Sequence, residues 1–117
     1  MSKIWLPDPE THDFPAAQDY LELLMSKEQA AVFVKQLQKT KTQNKKAKDI
    51  LRASELPLLP KDNLHVTENL KKFKKGKKLS PLLLIRGEQK LIIADGYHRI
   101  CASYYLSEDL EVPCRLV

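Results

Sequence analysis

Glycine is scarce in this chain. With three glycines in 117 residues, each one marks a specific turn or a close approach of the backbone. Cysteine is rarer still. Cys101 and Cys114 form no Cys-x-x-Cys pair, and no His/Cys cluster has metal-ligand spacing, so neither a metal site nor a disulfide framework is expected. There is also no apolar run of about 18 residues, the length a membrane-spanning helix needs. The opening Met1-Ser2-Lys3-Ile4-Trp5 lacks the apolar segment of a secretory leader. These absences point to a cytoplasmic protein with no membrane partner and two buried thiols.

What is present supports a folded domain. Apolar residues make up 43% of the chain, enough for a core, and the length suits a single domain over 1–117. Charge is unevenly spread. Residues 1–34 carry two lysines against six acids, and residues 35–78 carry fourteen Lys/Arg against four acids. The basic middle is the part that asks for a partner.

Local patterns divide the chain into elements. The first 14 residues, with Pro7 and Pro9, read as an extended arm docked by Trp5 and Phe14. Helical spacing begins at Ala16, with Ala17, Tyr20, Leu21 and Leu24 on one face. Ser26 followed by Gln29 is a capping-box pattern and opens a second helix, with Ala30, Phe33, Val34 and Leu37 inward. Lys39 to Lys46 is polar and reads as a loop. Ala47, Ile50 and Leu51 indicate a short helix that ends before Pro57, and Pro57 to Pro60 is extended. Asp62 or Asn63 caps the next helix, whose face is Val66, Leu70 and Phe73 and whose end is Gly76. Leu82 to Ile85 and Leu91 to Ala94 form a hairpin. A helix runs from Tyr97 to Leu106, and Val112 to Val117 is a strand in which Pro113 suggests an edge position or a strand start. The fold class is α+β: a small mixed β-sheet with packed helices, preceded by an N-terminal helical pair.

The most informative stretch is Leu91-Ile92-Ile93-Ala94-Asp95-Gly96-Tyr97-His98-Arg99. An apolar strand ends at Asp95 and Gly96, and a helix starts with His98 and Arg99 in its first turn. A helix N-terminus leaves N–H groups unpaired and carries partial positive charge. A glycine there lets a ligand approach the backbone, and an imidazole and a guanidinium add donors suited to phosphate. The bland alternative is a structural turn, in which Asp95 caps the helix and His98 and Arg99 pair with Glu108, Asp109 or Glu111.

The stretch and its surroundings resemble the ParB/sulfiredoxin-like superfamily, in an uncharacterised bacterial branch. The resemblance runs from the helix at Asn69-Leu70 through Gly76 and Leu79-Ser80-Pro81 to the hairpin, the Gly96 turn, the helix to Ala102 and the last strand. It implies a core at 47–117, with 1–46 as an N-terminal arm and helical extension. In sulfiredoxins the matching turn binds the phosphates of ATP and carries the catalytic cysteine. Tyr97 stands at that cysteine's place, and a phenol cannot replace the thiolate, so sulfinic-acid reductase activity is not expected. In ParB proteins the turn contacts the triphosphate of CTP, and a free-serine kinase is a further relative. The resemblance implies a nucleotide or phosphorylated small molecule as ligand, with a nucleoside triphosphate and Mg²⁺ as the candidate cofactor. It also brings Lys61, His65 and Thr67, near the start of the preceding helix, toward the pocket.

Three functional readings follow. The first is a binding module in which the N–H groups of Gly96, Tyr97 and His98 hold phosphate oxygens, Arg99 clamps them and His98 is a second donor. The second is a phosphotransferase or nucleotide hydrolase with Asp95 or His98 as general base. The third is a nucleic-acid-binding accessory protein acting through Lys71, Lys72, Lys74, Lys75, Lys77 and Lys78, which read phosphate backbone and not base sequence. Against the third, no helix-turn-helix follows the motif. An acidic protein is another partner for that lysine run, and a solvated helix end is its plain structural reading.

Overall fold

A computed structural model describes residues 4–117. Its helices are α1 (Asp13–Leu21), α2 (Lys27–Lys39), α3 (Ala47–Ser54), α4 (Leu64–Lys74) and α5 (Tyr97–Leu106). Its strands are β1 (Gln43–Lys46), β2 (Leu82–Arg86), β3 (Leu91–Asp95) and β4 (Glu111–Leu116). They form one sheet in the order β1-β4-β2-β3. β2 and β3 are an antiparallel hairpin, and β4 lies parallel to β2 and antiparallel to β1. The architecture is therefore α+β with a small mixed sheet.

The alternation of side chains along β2 explains the layers. Leu82 and Leu84 join a core with Ile50 of α3, Val66 and Phe73 of α4, and Ile100 of α5. Leu83 and Ile85 point the other way, to Ala17 and Leu21 of α1 and Val34 and Leu37 of α2. A strand covered on both faces has no polar positions to alternate, hence the unbroken Leu-Leu-Leu-Ile. The N-terminal helical pair covers one face of the sheet, and α3, α4 and α5 cover the other.

Capping chemistry sets the helix ends. Ser26 accepts from Gln29 N–H at α2, and Asn63 accepts from both His65 and Val66 N–H at α4. Gly76, at φ 74°, ends α4. Gly76 N–H donates to Phe73 C=O and Lys77 N–H to Lys72 C=O, the paired bonds of a Schellman ending. Arg115 closes α2 from a distance. Its Nη1 donates to Leu37 and Gln38 C=O, its Nε to Thr42 Oγ1 and its Nη2 to Asp8 Oδ1.

Three expectations need correction. Residues 43–46 are strand β1 and not loop. All four are exposed and polar, so no period-two pattern betrays them, and only main-chain pairing with β4 makes them a strand. Pro113 lies in a central strand and not at an edge. Val117 exchanges main-chain bonds with Leu84 and Arg86 of β2. By alternation Arg115 and Pro113 also face β2, and Pro113, one residue before Leu82's partner Cys114, meets β2 only at its first residue. Its missing donor therefore costs the ladder little. Lastly, α1 begins at Asp13 and not Ala16, because Pro15 is tolerated in a first turn.

Candidate functional site

The Gly96 turn is built by a defect in the hairpin. Leu84 pairs with Ile93, but Leu83 pairs with Asp95, so Ala94 is an extra residue on β3. Such a bulge re-aims the residue that follows it, here Asp95. Gly96 then adopts φ 111° and starts α5. A Cβ at Gly96 would stand 2.7 Å from Leu82 Cγ and 3.0 Å from Arg99 Nη2, so both conformation and space demand glycine.

No side chain caps α5. Asp95 instead accepts from Arg99 Nη2 at 3.1 Å, and the same Nη2 donates to Pro81 C=O at 3.3 Å. Arg99 therefore pairs with Asp95, and neither of the bland expectations, an Asp95 cap or an Arg99 pair with the acids at 108–111, holds. Asp109 is taken by Lys48 at 2.8 Å. Arg99 Nε is buried without a protein partner. Burial raises the Asp95 carboxyl above the usual carboxylate range, a push that the Arg99 charge only partly offsets. Asp13 of α1 adds repulsion at Asp95, and the neighbouring His12 opposes it.

A cleft of about 220 Å³ opens at this turn, lined by Asp95, Gly96, Tyr97, His98 and Arg99 from β3 and α5, and by His65, Glu68, Asn69 and Lys72 from α4. The α4 residues recur at spacings of three, four and seven from His65, which puts them on one helix face. The His65 and His98 rings lie 4.8 Å apart. Partial burial, and then the His65 charge, hold His98 below its ordinary pKa, which favours the neutral imidazole, and an anion in the cleft opposes that shift. A second cleft, of about 340 Å³, shares Asn69, Lys72 and Arg99 and continues past Lys77, Lys78, Glu10 and Asp13.

The structure thus brings Asp95, Gly96, Tyr97, His98, Arg99 and His65 together. It does not bring in Lys61 or Thr67. Thr67 Oγ1 donates to Lys61 C=O at 2.9 Å, tying down the turn before α4, and Lys61 Nζ lies over the Tyr105 ring at 5.8 Å. Tyr97 is also an anchor, its hydroxyl donating to Pro57 C=O at 2.5 Å. The lysine run divides. Lys72, Lys77 and Lys78 line the two clefts, whereas Lys71, Lys74 and Lys75 line neither and are exposed. Glu68 and Asn69 were missed, although their helical spacing from His65 was the signal available. Among the described residues no group of three or more His, Cys, Asp and Glu is placed to hold a metal ion, and no helix is long and apolar enough to cross a membrane. Both cysteines are free and buried.

Comparison with protein families, with curated proteins and with solved structures finds no match for this chain.

Proposed function

We propose that this protein binds a nucleotide or another phosphorylated small molecule in the cytoplasm, with the phosphate in the cleft between α4 and the start of α5. The observation that carries this reading is the uncapped N-terminus of α5. Its free N–H groups open at Gly96 onto a cleft that Lys72, Arg99 and two histidines line. Helix dipole, cationic side chains and a backbone without a Cβ all favour the same kind of ligand there. A shared border at Lys72 and Arg99 joins this cleft to the one beside Lys77 and Lys78, which suits a di- or triphosphate better than a single phosphate. Any Mg²⁺ in this reading arrives on the ligand's phosphates, the usual arrangement for that ion.

The reading also places the chain as a distant member of the ParB/sulfiredoxin-like superfamily. In support, α4, the β2–β3 hairpin, α5 and β4 follow one another in the order that resemblance requires. An enzymatic version rests on His98, whose lowered pKa leaves a neutral base beside the cleft. Asp95 is the weaker candidate, because Arg99 occupies it.

Thermal unfolding with CTP, ATP, GTP, their diphosphates and pyrophosphate, each with and without Mg²⁺, tests the proposal. A ligand at 100 times its dissociation constant stabilises the fold by about 2.7 kcal/mol. A shift that Lys72→Ala and His98→Ala both abolish supports the site. No shift with any compound, or one that both variants retain, overturns it.

A further inference from the structure

The edge of the sheet far from the phosphate cleft has its own chemistry. β4 residues alternate between their neighbours, and with Pro113 and Arg115 facing β2, Val112 and Cys114 face β1. Their register partners are Lys45 and Gln43. Asn44 therefore turns both its N–H and its C=O to the outer edge of β1, which no described strand covers, and Lys46 turns its N–H there. Lys46 is also the N-cap of α3, so its C=O belongs to that helix. Asn44, Lys45 and Lys46 also line a cleft of about 550 Å³, to which α3 contributes Lys48, Asp49 and Arg52. Lys45, Lys46, Lys48 and Arg52 line the cleft with Asp49 and Glu111; Asp109 pairs with Lys46 and Lys48, and Asp49 with Arg52, so that among the described residues Lys45 is the lining cation without an ion pair.

We propose that the free edge of β1 is a docking strand for an extended acidic segment of another protein, which adds to the sheet as a fifth strand. Residues paired across strands share a face. Acids at alternate positions of the incoming segment stand beside Lys45, while its main chain bonds Asn44 and Lys46. A second copy of this chain is the poorer occupant, because its β1, Gln43-Asn44-Lys45-Lys46, brings two more lysines and no acid to the same edge. A phosphate backbone fits poorly, because phosphate only accepts and leaves Asn44 C=O without a donor. Strand addition satisfies both kinds of main-chain group.

The test uses a blocked, fluorescent peptide of alternating Glu and Val, its fully N-methylated counterpart, and a thymidine oligonucleotide. The expected result is saturable binding of the first peptide, with slowed amide exchange at Asn44 and Lys46. N-methylation and Lys45→Glu each weaken binding at least about tenfold, the loss of one or two main-chain bonds or of a charge partner. No binding of the first peptide, equal binding of the N-methylated one, or tighter binding of the oligonucleotide without protection of those two amides overturns the proposal. The N-methylated peptide tests the wild-type chain, so the result does not depend on any variant folding.

Discussion

Arg99 Nη2 lies 3.1 Å from Asp95 Oδ2, across the glycine that begins α5, and both side chains are about four-fifths buried. Asp95 thus occupies the guanidinium with an anion from the protein itself. An incoming phosphate has to share Arg99 with it.

Asp95→Asn therefore tightens phosphate binding, by about threefold to tenfold for the release of a partly buried charge partner. Arg99→Ala does the opposite and also leaves Asp95 buried and unpaired, at a cost of about 2–4 kcal/mol. Denaturant melts and titration with pyrophosphate check both. Weaker binding by Asp95→Asn would refute the competition.

Gly96→Ala lowers stability by about 2–4 kcal/mol, because it combines positive φ with contact on Leu82 and Arg99. The same change at Gly76, where φ is 74° but nothing lies within 4 Å, costs only about 1 kcal/mol. Urea melts of the two variants give the comparison.

His98 makes stability fall with acid. Its folded pKa is below the ordinary 6.5, so as pH falls through that value the unfolded chain takes up a proton that the folded chain resists. The loss is complete once pH is below the folded value. In His98→Gln the melting temperature declines less steeply from pH 7 to pH 5. A bound phosphate reverses the sign, since it favours the charged ring, and phosphate binding then strengthens as pH falls. An identical slope in wild type and variant would dismiss this role.

Arg115→Lys costs about 2 kcal/mol, because an ammonium cannot replace a planar fork that bonds Leu37, Gln38, Thr42 and Asp8 at once. Amide exchange quickens first at the end of α2.

The thiols stay silent in the native state. Burial raises Cys101, and pushes Cys114 up to about 11, so a disulfide reagent at pH 8 modifies them only as fast as the chain opens. Rapid modification of Cys114 would contradict its placement in β4.

The elements that the sequence made legible are those with a strong local signal. Ser26 and the pair Asp62-Asn63 announced two helices, Gly76 and Gly96 a stop and a start, and Leu82 to Ala94 a hairpin. β1 was hidden because Gln43, Asn44, Lys45 and Lys46 owe their strand to a partner some 70 residues away. At the cleft, the Gly96 turn was visible and the α4 wall only half so. His65 was read as a pocket residue and Asn69 was not, and the bulge at Ala94 that aims Asp95 leaves no trace in residue type. Arg115 was missed for the same reason as β1, since its partners are remote in sequence.

The strand order has a consequence for how the molecule comes apart. Among the described strands, β4 alone joins β1 to the hairpin. Loosening residues 111–116 strands β1 with no ladder at all and leaves a two-stranded ribbon, which is at best marginal in water. The hairpin can form early, because its ends are close in sequence, whereas β4 must close long loops on both sides before either is rewarded. The sheet is therefore completed in one late event and lost in one early event, and the last strand acts as its keystone.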